Sequence, residues 1–327
     1  MKSNTIWVTW EYQVRNRNLS KELGVTLYEI NYDKHSRLLR YFFCIGQTIK
    51  ILLQVKPTIV IHQSPSIVLA FLLSLLKDIF KYRVIIDTHN AGVKPAEGAS
   101  KLLNWLAHFS LKRADLIILH NEMIAAQLPK SISVEKLILA DPLPSVLKEQ
   151  RLESNKGDVF TVVFVCRWAS DEPYQEVIRA AKILESEKAN VKIICTGRYP
   201  KHIKKEKLPK NIELSGFVSA EDYDLILKKA HCVLALTTRQ DSLNCAAYEG
   251  MAYEKPTILS KSVLLERFFS KGFSHTLNNA GSISNTIIAV MNDYVKLKHD
   301  IIICKASYSI EYGAKVKELS GKLENEF

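Results

Sequence analysis

Features that mark secreted and zinc-binding proteins are scarce in this sequence. Six of the 327 residues are cysteines, and no two of them form a Cys-x-x-Cys pair, so no zinc site is indicated. Most of the six fall inside apolar runs, as reduced and buried thiols do. The residues from Met1 to Thr5 contain no apolar stretch of the kind that a signal peptide needs. We therefore expect a cytoplasmic protein.

Acidic residues are fewer than basic ones. The chain has 34 Asp and Glu against 45 Lys and Arg, which gives a formal net charge of +11 and a pI near 9.2. Such a balance favours an acidic partner, which could be nucleotide phosphates, an anionic bilayer or nucleic acid. No strip of basic and aromatic residues supports the last of these, so we expect no nucleic-acid binding.

Two further absences restrict the functions that the first half of the chain can have. No Gly-rich loop follows the first predicted strand, Thr5 to Trp10, which argues against a dinucleotide site there. The apolar segment 67–80 is too short for a bilayer, which needs about 20 residues. This segment and the helix predicted over 36–54 are strongly apolar. For 67–80, a core helix and a helix on the membrane surface, aided by Lys77, Lys81 and Arg83, both stay open.

What is present is a regular alternation of apolar strands and helices. At 327 residues and 47% apolar content, the chain can form one large or two medium α/β domains. The polar stretch 145–158 has no periodicity and is the best linker candidate. We therefore predict an N-terminal Rossmann-like domain over 1–150 and a C-terminal one over 151–327. The last predicted helix, Glu311 to Asn325, could fold back across the first domain.

Polar side chains follow several predicted strands of the first half. Three of these strands end in a polar cluster with a histidine, at His62, His89 and His120, and the carboxyl edge of a parallel sheet would bring such clusters together. Turn-forming Asn and Asp explain part of the pattern. Glu11 follows the first strand, and Arg15 is either a phosphate ligand or an exposed helix charge. The candidates in this half are Glu11, Arg15, Gln63, Asp87, His89 and Asn90.

The second half carries its strongest signal between the strands Cys232–Leu236 and Thr257–Leu259. The loop and helix between them place Asp241, Ser242, Leu243 and Asn244 near a helix start, where free N–H groups attract phosphate. Glu249 follows Asp241 by eight residues, so both carboxylates could line one mouth. Alternatively, Asp241 is an N-cap and Glu249 a solvated charge. Arg167 and Arg198 each follow a strand, where either could meet a diphosphate.

One further motif has the form of a metal site. Asp222-Tyr223-Asp224 matches the Asp-x-Asp pattern with which some sugar transferases hold a metal ion. It lies at a predicted helix start and not at a strand end, so we interpret the match as chance.

The chain resembles the GT-B class of nucleotide-sugar glycosyltransferases. The stretch from Asp241 to Pro256 resembles the Glu-x7-Glu motif of that class, with Glu249 at the second position and Asp241 in place of the first glutamate. The segments 166–172, 196–198 and 220–223 are similar to enzymes that add a mannose to lipid-linked chitobiose and to bacterial relatives in surface-polysaccharide assembly. Gln63-Ser64-Pro65 and Asp87-Thr88-His89-Asn90 resemble first-domain motifs of the same group.

The resemblance implies an α/β fold of two Rossmann-like domains facing a central cleft, and a defined reaction. A sugar would pass from a nucleotide diphosphate donor to a lipid-linked or growing saccharide acceptor at the inner face of the cytoplasmic membrane, with neither metal nor other cofactor. The implied donor-binding residues are Arg167, Arg198, Asp241, Ser242, Leu243, Asn244 and Glu249. The implied acceptor-binding residues are Arg15, Gln63 and Asn90, and the implied catalytic candidates are Glu11, His89 and Asp87.

Several alternatives stay open at this level. Members of the wider class retain the anomeric configuration, whereas the lipid-linked mannosyltransferases invert it, and only inversion requires a general base. A sugar-nucleotide epimerase shares the architecture and would act on the donor without an acceptor. Asp241 departs from the motif, and the lysine that accompanies the arginine in the class is not evident after Arg167, where Pro173 intervenes. An inactive partner of a membrane transferase is therefore the third possibility.

Overall fold

The structure, a computed structural model, describes residues 4–33, 36–64, 66–146, 159–240 and 242–324. Internal contacts divide the chain into two compact units. The first comprises Met1–Pro142 together with Ile310–Phe327, and the second comprises Leu143–Ser309. Most of the predicted linker, residues 147–158, lies outside the described residues. Each unit is an α/β structure with one parallel sheet.

The first unit has a six-stranded parallel sheet within its described residues. Its strand order, β2-β1-β3-β4-β5-β6, reverses direction between β1 and β3. The strands are β1 (Thr5–Thr9), β2 (Thr26–Glu29), β3 (Ile59–Ser64), β4 (Arg83–Thr88), β5 (Leu116–Leu119) and β6 (Lys136–Ile138). The helices between them are α1 (Val14–Glu22), α2 (Arg37–Val55), α3 (Ile67–Phe80), α4 (Asn90–Val93), α5 (Lys101–Arg113) and α6 (Glu122–Gln127).

The second unit also has a six-stranded parallel sheet among its described residues. Its order, β12-β11-β10-β7-β8-β9, reverses between β7 and β10. The strands are β7 (Phe160–Phe164), β8 (Val191–Thr196), β9 (Ile212–Gly216), β10 (Cys232–Ala235), β11 (Thr257–Ser260) and β12 (Phe273–Thr276). Its helices are α7 (Tyr174–Ser186), α8 (Ala220–Lys229), α9 (Cys245–Ala252), α10 (Val263–Phe268), α11 (Ala280–Asn292) and the first part of α12 (Tyr294–Glu324).

The side-chain alternation of the strands divides the core of the first unit into two layers. Ile6 and Val8 of β1 pack in one layer with helices α2, α3 and α5. Trp7, between them in sequence, packs in the other layer with Leu19 of α1 and Leu319 of α12. Burying a side chain of this size contributes about 1.5–3 kcal/mol, so both layers stabilise the sheet.

The last helix differs from its predicted bounds. The sequence reading predicts a helix from Glu311 to Asn325, whereas α12 begins at Tyr294. Its residues from Ile310 onward belong to the first unit, where Leu319 and Leu323 are buried. The part of α12 before Glu311 contains the buried Ile301, which packs with Phe269 and Phe273 of the second unit. This packing accounts for the earlier start of the helix.

Candidate functional site

A cavity of about 480 Å³ opens in the second unit where its strand order reverses. Parallel α/β sheets bind ligands at such a switch point, beyond the carboxyl ends of the strands. The loops after β7 and β10 and the start of α9 supply its walls. The lining residues are Val165, Arg167, Asp171, Glu172, Leu236, Thr237, Arg239, Ser242, Leu243, Asn244, Cys245, Ala246 and Glu249.

The loop after β7 is held by the carboxylate of Glu172. Oε2 of Glu172 accepts hydrogen bonds from the backbone N–H of Arg167 (2.9 Å) and of Ala169 (3.0 Å). The indole of Trp168 donates to the carbonyl of Thr196 (2.8 Å), and Trp168 itself has a left-handed φ of 63°. These contacts fix the loop and leave the Arg167 side chain 80% exposed at the cavity.

A glycine allows this loop to approach β8. Gly197 has a φ of +81°, and a Cβ added there would lie 2.0 Å from the carbonyl oxygen of Cys166. No larger residue fits without moving the backbone of Cys166 and Arg167. Within the Thr196-Gly197-Arg198 segment, the glycine is thus the residue that shapes the site. Arg198 is not among the described residues that line the cavity. Its guanidinium lies 5.9 Å from the Phe217 ring centroid.

The loop after β10 contributes a second arginine that sequence reasoning missed. The backbone N–H of Thr237 donates to Oγ of Ser260 (2.8 Å), and Asn278 donates to the Thr237 carbonyl (2.9 Å). Nε of Arg239 lies 2.9 Å from Oδ2 of Asp171. The loop therefore carries Arg239 to the same cavity as Arg167. No motif marks Arg239 in the sequence, and only the sheet order brings the two loops together.

Helix α9 begins later than the sequence reading placed it. Its N-cap is Asn244, whose side chain accepts from the N–H of Ala246 at 3.0 Å. The sequence reading offered Asp241 as this N-cap. Asp241 itself lies outside the described residues. Ser242, Leu243 and Asn244 line the cavity at the positive end of the helix.

Glu249 lies one turn into α9 and faces the cavity. The hydroxyl of Tyr223 donates to its Oε2 at 2.5 Å. Burial raises the pKa of Glu249, and the hydrogen bond from Tyr223 opposes that rise. The reading of Glu249 as a solvated charge is therefore wrong. The next residue, Gly250, packs so closely on β11 that a Cβ would lie 2.0 Å from Oγ1 of Thr257.

Both aspartates of the Asp222-Tyr223-Asp224 motif have partners within the second unit. Asp222 accepts from the hydroxyl of Ser219 at 2.9 Å, at the start of α8. Asp224 pairs with Lys228 at 2.7 Å and accepts from the hydroxyl of Tyr253 at 2.6 Å. These carboxylates anchor the helix, and Tyr223 between them reaches Glu249.

In the first unit, Arg15 is buried beneath the carboxyl ends of the strands. All five N–H groups of its guanidinium donate hydrogen bonds of 2.8–3.0 Å. Asp87 receives two of them, Asp141 receives one, and the carbonyls of Leu139 and Ala140 receive the others. Arg15 is therefore not an exposed charge, and no donor is left for the phosphate of an acceptor. It positions two carboxylates instead.

Asp87 and His89 have different environments although they are two residues apart. Asp87 is fully buried, and both its oxygens accept hydrogen bonds from Arg15. His89 is partly buried, and its Nε2 contacts the side-chain amide of Gln63. Burial lowers the pKa of His89 below its ordinary value. A neutral imidazole at this sheet edge can accept a proton.

The imidazoles of His89 and His120 lie together, with ring centroids 3.6 Å apart. Nε2 of His120 lies 3.8 Å from Asp87, and its Nδ1 lies 3.8 Å from Asp141. One ligand atom each from Asp87, His89 and His120 lies within 4.8 Å of the others, a spacing that a metal ion could use. The guanidinium of Arg15, however, already balances the negative charge of Asp87. Its positive charge opposes the binding of a metal cation between these three side chains.

The two remaining candidates of the first unit lie at strand ends. Glu11 is exposed just beyond β1, where its backbone N–H donates to Oγ1 of Thr9 at 3.2 Å. Asn90 opens the short helix α4 next to His89. Gln63 and Asp87 are register partners on β3 and β4. The structure thus brings Gln63, Asp87, His89, Asn90 and Arg15 to one edge of the sheet.

Residues 147–305 match the family model described as "Glycosyl transferases group 1". This range contains every residue that lines the cavity. No sequence among curated proteins matches the chain significantly.

Three solved structures show the likeness of the fold. HepE from Anabaena, in complex with UDP and glucose, is 11% identical over 98% of this chain and 99% of its own, with a TM-score of 0.70. Sucrose-phosphate synthase from Thermosynechococcus elongatus is 12% identical over 98% and 97%, with a TM-score of 0.72. The lipopolysaccharide outer core galactosyltransferase WaaB is 11% identical over 97% and 98%, with a TM-score of 0.64. The expected α/β fold of two Rossmann-like domains is therefore confirmed.

Proposed function

We propose that this chain, whose residues 147–305 match the family model of group 1 glycosyl transferases, is a glycosyltransferase that moves a sugar from a nucleotide diphosphate donor to a lipid-linked or growing saccharide acceptor. The observation that carries the proposal is the cavity of the second unit, which combines an oriented carboxylate, Glu249, with two arginines and a helix start. Carboxylates accept hydrogen bonds from the hydroxyls of a ribose, and arginines pair with phosphates.

Each part of the donor has a chemical counterpart in the cavity. Glu249 would accept from the ribose hydroxyls. Arg167, Arg239 and the backbone amides near Ser242 to Asn244 would hold the diphosphate. Positive charge at the departing diphosphate stabilises the transition state, which is the role that a metal ion has in other phosphate chemistry. We therefore propose a reaction without a bound metal.

The acceptor would bind on the first unit. If the reaction inverts the configuration, the acceptor hydroxyl must lose a proton as it attacks, and His89 suits this role better than Asp87 because it is neutral and only partly buried. Glu11, exposed at the end of β1, is the second candidate. If the reaction retains the configuration, no such base is needed. Gln63 and Asn90 would contact the acceptor saccharide.

The donors to test first are chosen from the ligands of the similar solved structures. HepE is described with UDP and glucose bound, so uridine diphosphate sugars are the first donors to test. The acceptor is proposed to lie at the inner face of the cytoplasmic membrane, with the protein cytoplasmic and peripheral on that membrane.

The test is product analysis with labelled sugar nucleotides. The purified protein is incubated with each donor, with and without a lipid extract of the cells that make it. We expect label to pass into the lipid fraction, and to do so at least tenfold more slowly in Glu249→Gln than in the wild type. Glu187→Gln, an exposed change at the end of α7, is the matched control.

Two results would contradict the proposal. Conversion of the donor to an isomeric sugar nucleotide in the absence of lipid would identify an epimerase. Donor binding without turnover, for every donor and with the extract present, would indicate an inactive partner protein.

A further inference from the structure

The outward side of α2 is apolar although it faces solvent. The 18 residues from Leu38 to Val55 have a mean hydropathy of 1.3, but only 22% of them are buried. Leu38 is 82% exposed, Phe42 is 72% exposed and Leu53 is 57% exposed. These residues are separated by intervals close to whole helical turns, so they form one stripe. A surface helix of a water-soluble domain has polar residues on that side.

Helix α2 is long enough to cross a bilayer but cannot do so in this fold. Its opposite side carries Cys44, Ile51 and Leu52, which are buried in the core against β1, β3 and β4. In the same layer, Thr48 accepts from the indole of Trp10 at 3.0 Å. A spanning orientation would remove these residues from the core. The helix therefore lies flat on the sheet, with only its outward stripe available.

The neighbouring helices extend the apolar stripe into a face. Helices α3 and α5 pack in the same layer as α2. Their outward residues include Ile79, Leu102 and Trp105, which are 71%, 66% and 57% exposed. Trp105 lies 5.9 Å from the ring of Phe71 on α3, centroid to centroid. We name the set Leu38, Phe42, Leu53, Ile79, Leu102 and Trp105 the outer apolar face.

Basic residues outnumber acidic ones on the three helices of this face. Helix α2 has three basic residues and no acidic one, and so does α5. Lys50 and Lys112 are exposed on them. The acidic residue of α3, Asp78, is paired with Arg113. An apolar face with exposed tryptophan and surrounding lysine is the pattern of helices that lie in a membrane interface rich in anionic lipid.

We propose that the outer apolar face docks the first unit flat onto an anionic phospholipid bilayer. Leu38, Phe42, Leu53 and Trp105 enter the boundary between headgroups and acyl chains, and Lys50 and Lys112 meet the phosphate groups. The inference deepens the membrane part of the proposed function by naming the surface that makes the contact. It requires no property of the donor cavity.

The tryptophan distribution gives a direct optical test. The chain has four tryptophans, and Trp7, Trp10 and Trp168 are buried whereas Trp105 is exposed. Full-length protein is mixed with vesicles of phosphatidylcholine, with or without phosphatidylglycerol, and no sugar nucleotide is added. We expect cosedimentation with the anionic vesicles and a blue shift of the emission, which Trp105→Phe abolishes while cosedimentation remains.

Matched variants locate the contact. Phe42→Asp, and independently Leu102→Asp, should weaken binding to anionic vesicles roughly tenfold or more. Phe217→Asp makes the same chemical change at a phenylalanine of the second unit that is 81% exposed, and should bind as the wild type does. Lys50→Glu with Lys112→Glu should reduce the preference for phosphatidylglycerol. Circular dichroism checks that each variant is folded.

Three outcomes would overturn the inference. The first is that the wild type binds neither kind of vesicle. The second is that folded Phe42→Asp and Leu102→Asp bind anionic vesicles as tightly as the wild type does. The third is that the lipid-free wild type sediments as a dimer while Phe42→Asp sediments as a monomer. The last would assign the face to a second copy of the chain. Failure of vesicle binding leaves donor binding unaffected, so the two proposals are tested separately.

Discussion

The hydroxyl of Tyr223 donates a hydrogen bond of 2.5 Å to Oε2 of Glu249 and thereby orients the carboxylate of the cavity. Tyr223 is held in turn because its neighbour Asp224 is bonded to Tyr253 and Lys228. The bond stabilises the charged form of a carboxylate whose burial favours the neutral form. Tyr223 is therefore a positioning residue for Glu249.

Removing this hydroxyl should weaken nucleotide binding in a pH-dependent way. Because a hydrogen bond to a charged group contributes about 1.5–3 kcal/mol, Tyr223→Phe should raise the Kd for the donor nucleotide roughly tenfold. It should also raise the pKa of Glu249 further, so that binding is lost at a higher pH as the solution is acidified. Calorimetric titrations over a pH series measure both effects. A larger Kd with an unmoved pH midpoint would assign Tyr223 a merely structural role.

Neutralising Glu249 should stabilise the protein while it reduces binding. Burial raises the pKa of Glu249 in the folded state. At neutral pH the ionised Glu249 therefore lowers the stability of the folded state relative to the unfolded state. Glu249→Gln should therefore raise the Tm at neutral pH by roughly 2–4 °C, and the gain should vanish as the pH falls below the unfolded value. Thermal melts across pH, with Glu187→Gln as control, test this. A gain that is the same at all pH values would show that ionisation is not its cause.

The loop that carries Arg167 should depend on Gly197. Gly197→Ala places a Cβ 2.0 Å from the Cys166 carbonyl and forces a left-handed φ on alanine, which should cost about 2–4 kcal/mol of unfolding free energy. Denaturant unfolding measures the loss. Gly281→Ala is the control in the same unit, because the nearest atom to an added Cβ there lies 3.8 Å away. An equal effect of the two substitutions would refute the close-approach argument.

Arg15 should be essential for the stability of the first unit. Arg15→Ala leaves Asp87 buried without its main partner, and such a change costs about 3–5 kcal/mol. Arg15→Lys should retain only part of this stability, because an ammonium group cannot donate to all five acceptors. The matched control is Arg17→Lys, where an exposed pair with Glu29 should change stability by under about 1 kcal/mol. Urea unfolding checks the series, and Asp87→Asn should partly rescue Arg15→Ala.

His89 should affect turnover without affecting the donor cavity. If it accepts the proton of the acceptor, His89→Gln should lower kcat by about 10²–10⁴-fold and leave the Kd for the donor nucleotide unchanged. Burial lowers the pKa of His89, so the wild-type rate should fall only at acidic pH, as the ring becomes charged. A rate unchanged in His89→Gln but lost in Glu11→Gln would move the role to Glu11.

Much of the fold could be predicted from the sequence because its signals are local. The apolar runs of the strands and the segments 36–54 and 67–80 correspond to the observed β1, α2 and α3. The start of α12 was missed although Asp293, a residue type favoured at N-caps, directly precedes Tyr294. The division into two halves followed from the polar stretch 145–158, most of which lies outside the described residues.

The site could be predicted only where its residues follow a recognisable pattern. Arg167 stood out by its position after a strand, and Glu249 by its spacing from Asp241 and the resemblance to the Glu-x7-Glu motif. Arg239 did not, because only the neighbouring position of β7 and β10 in the sheet brings its loop to Arg167. The role of Arg15 depends on Asp87 and Asp141, which are 72 and 126 residues away. Such long-range pairing leaves no local trace in a single sequence.

The most direct test of the account is a calorimetric titration of the purified protein with uridine diphosphate and the other nucleoside diphosphates, with Glu249→Ala and Glu187→Gln in parallel. We predict saturable binding of one nucleotide that Glu249→Ala weakens at least about tenfold and that Glu187→Gln leaves unchanged. Binding that Glu249→Ala does not alter, or no binding of any nucleotide by the folded wild type, would contradict the assignment of the cavity.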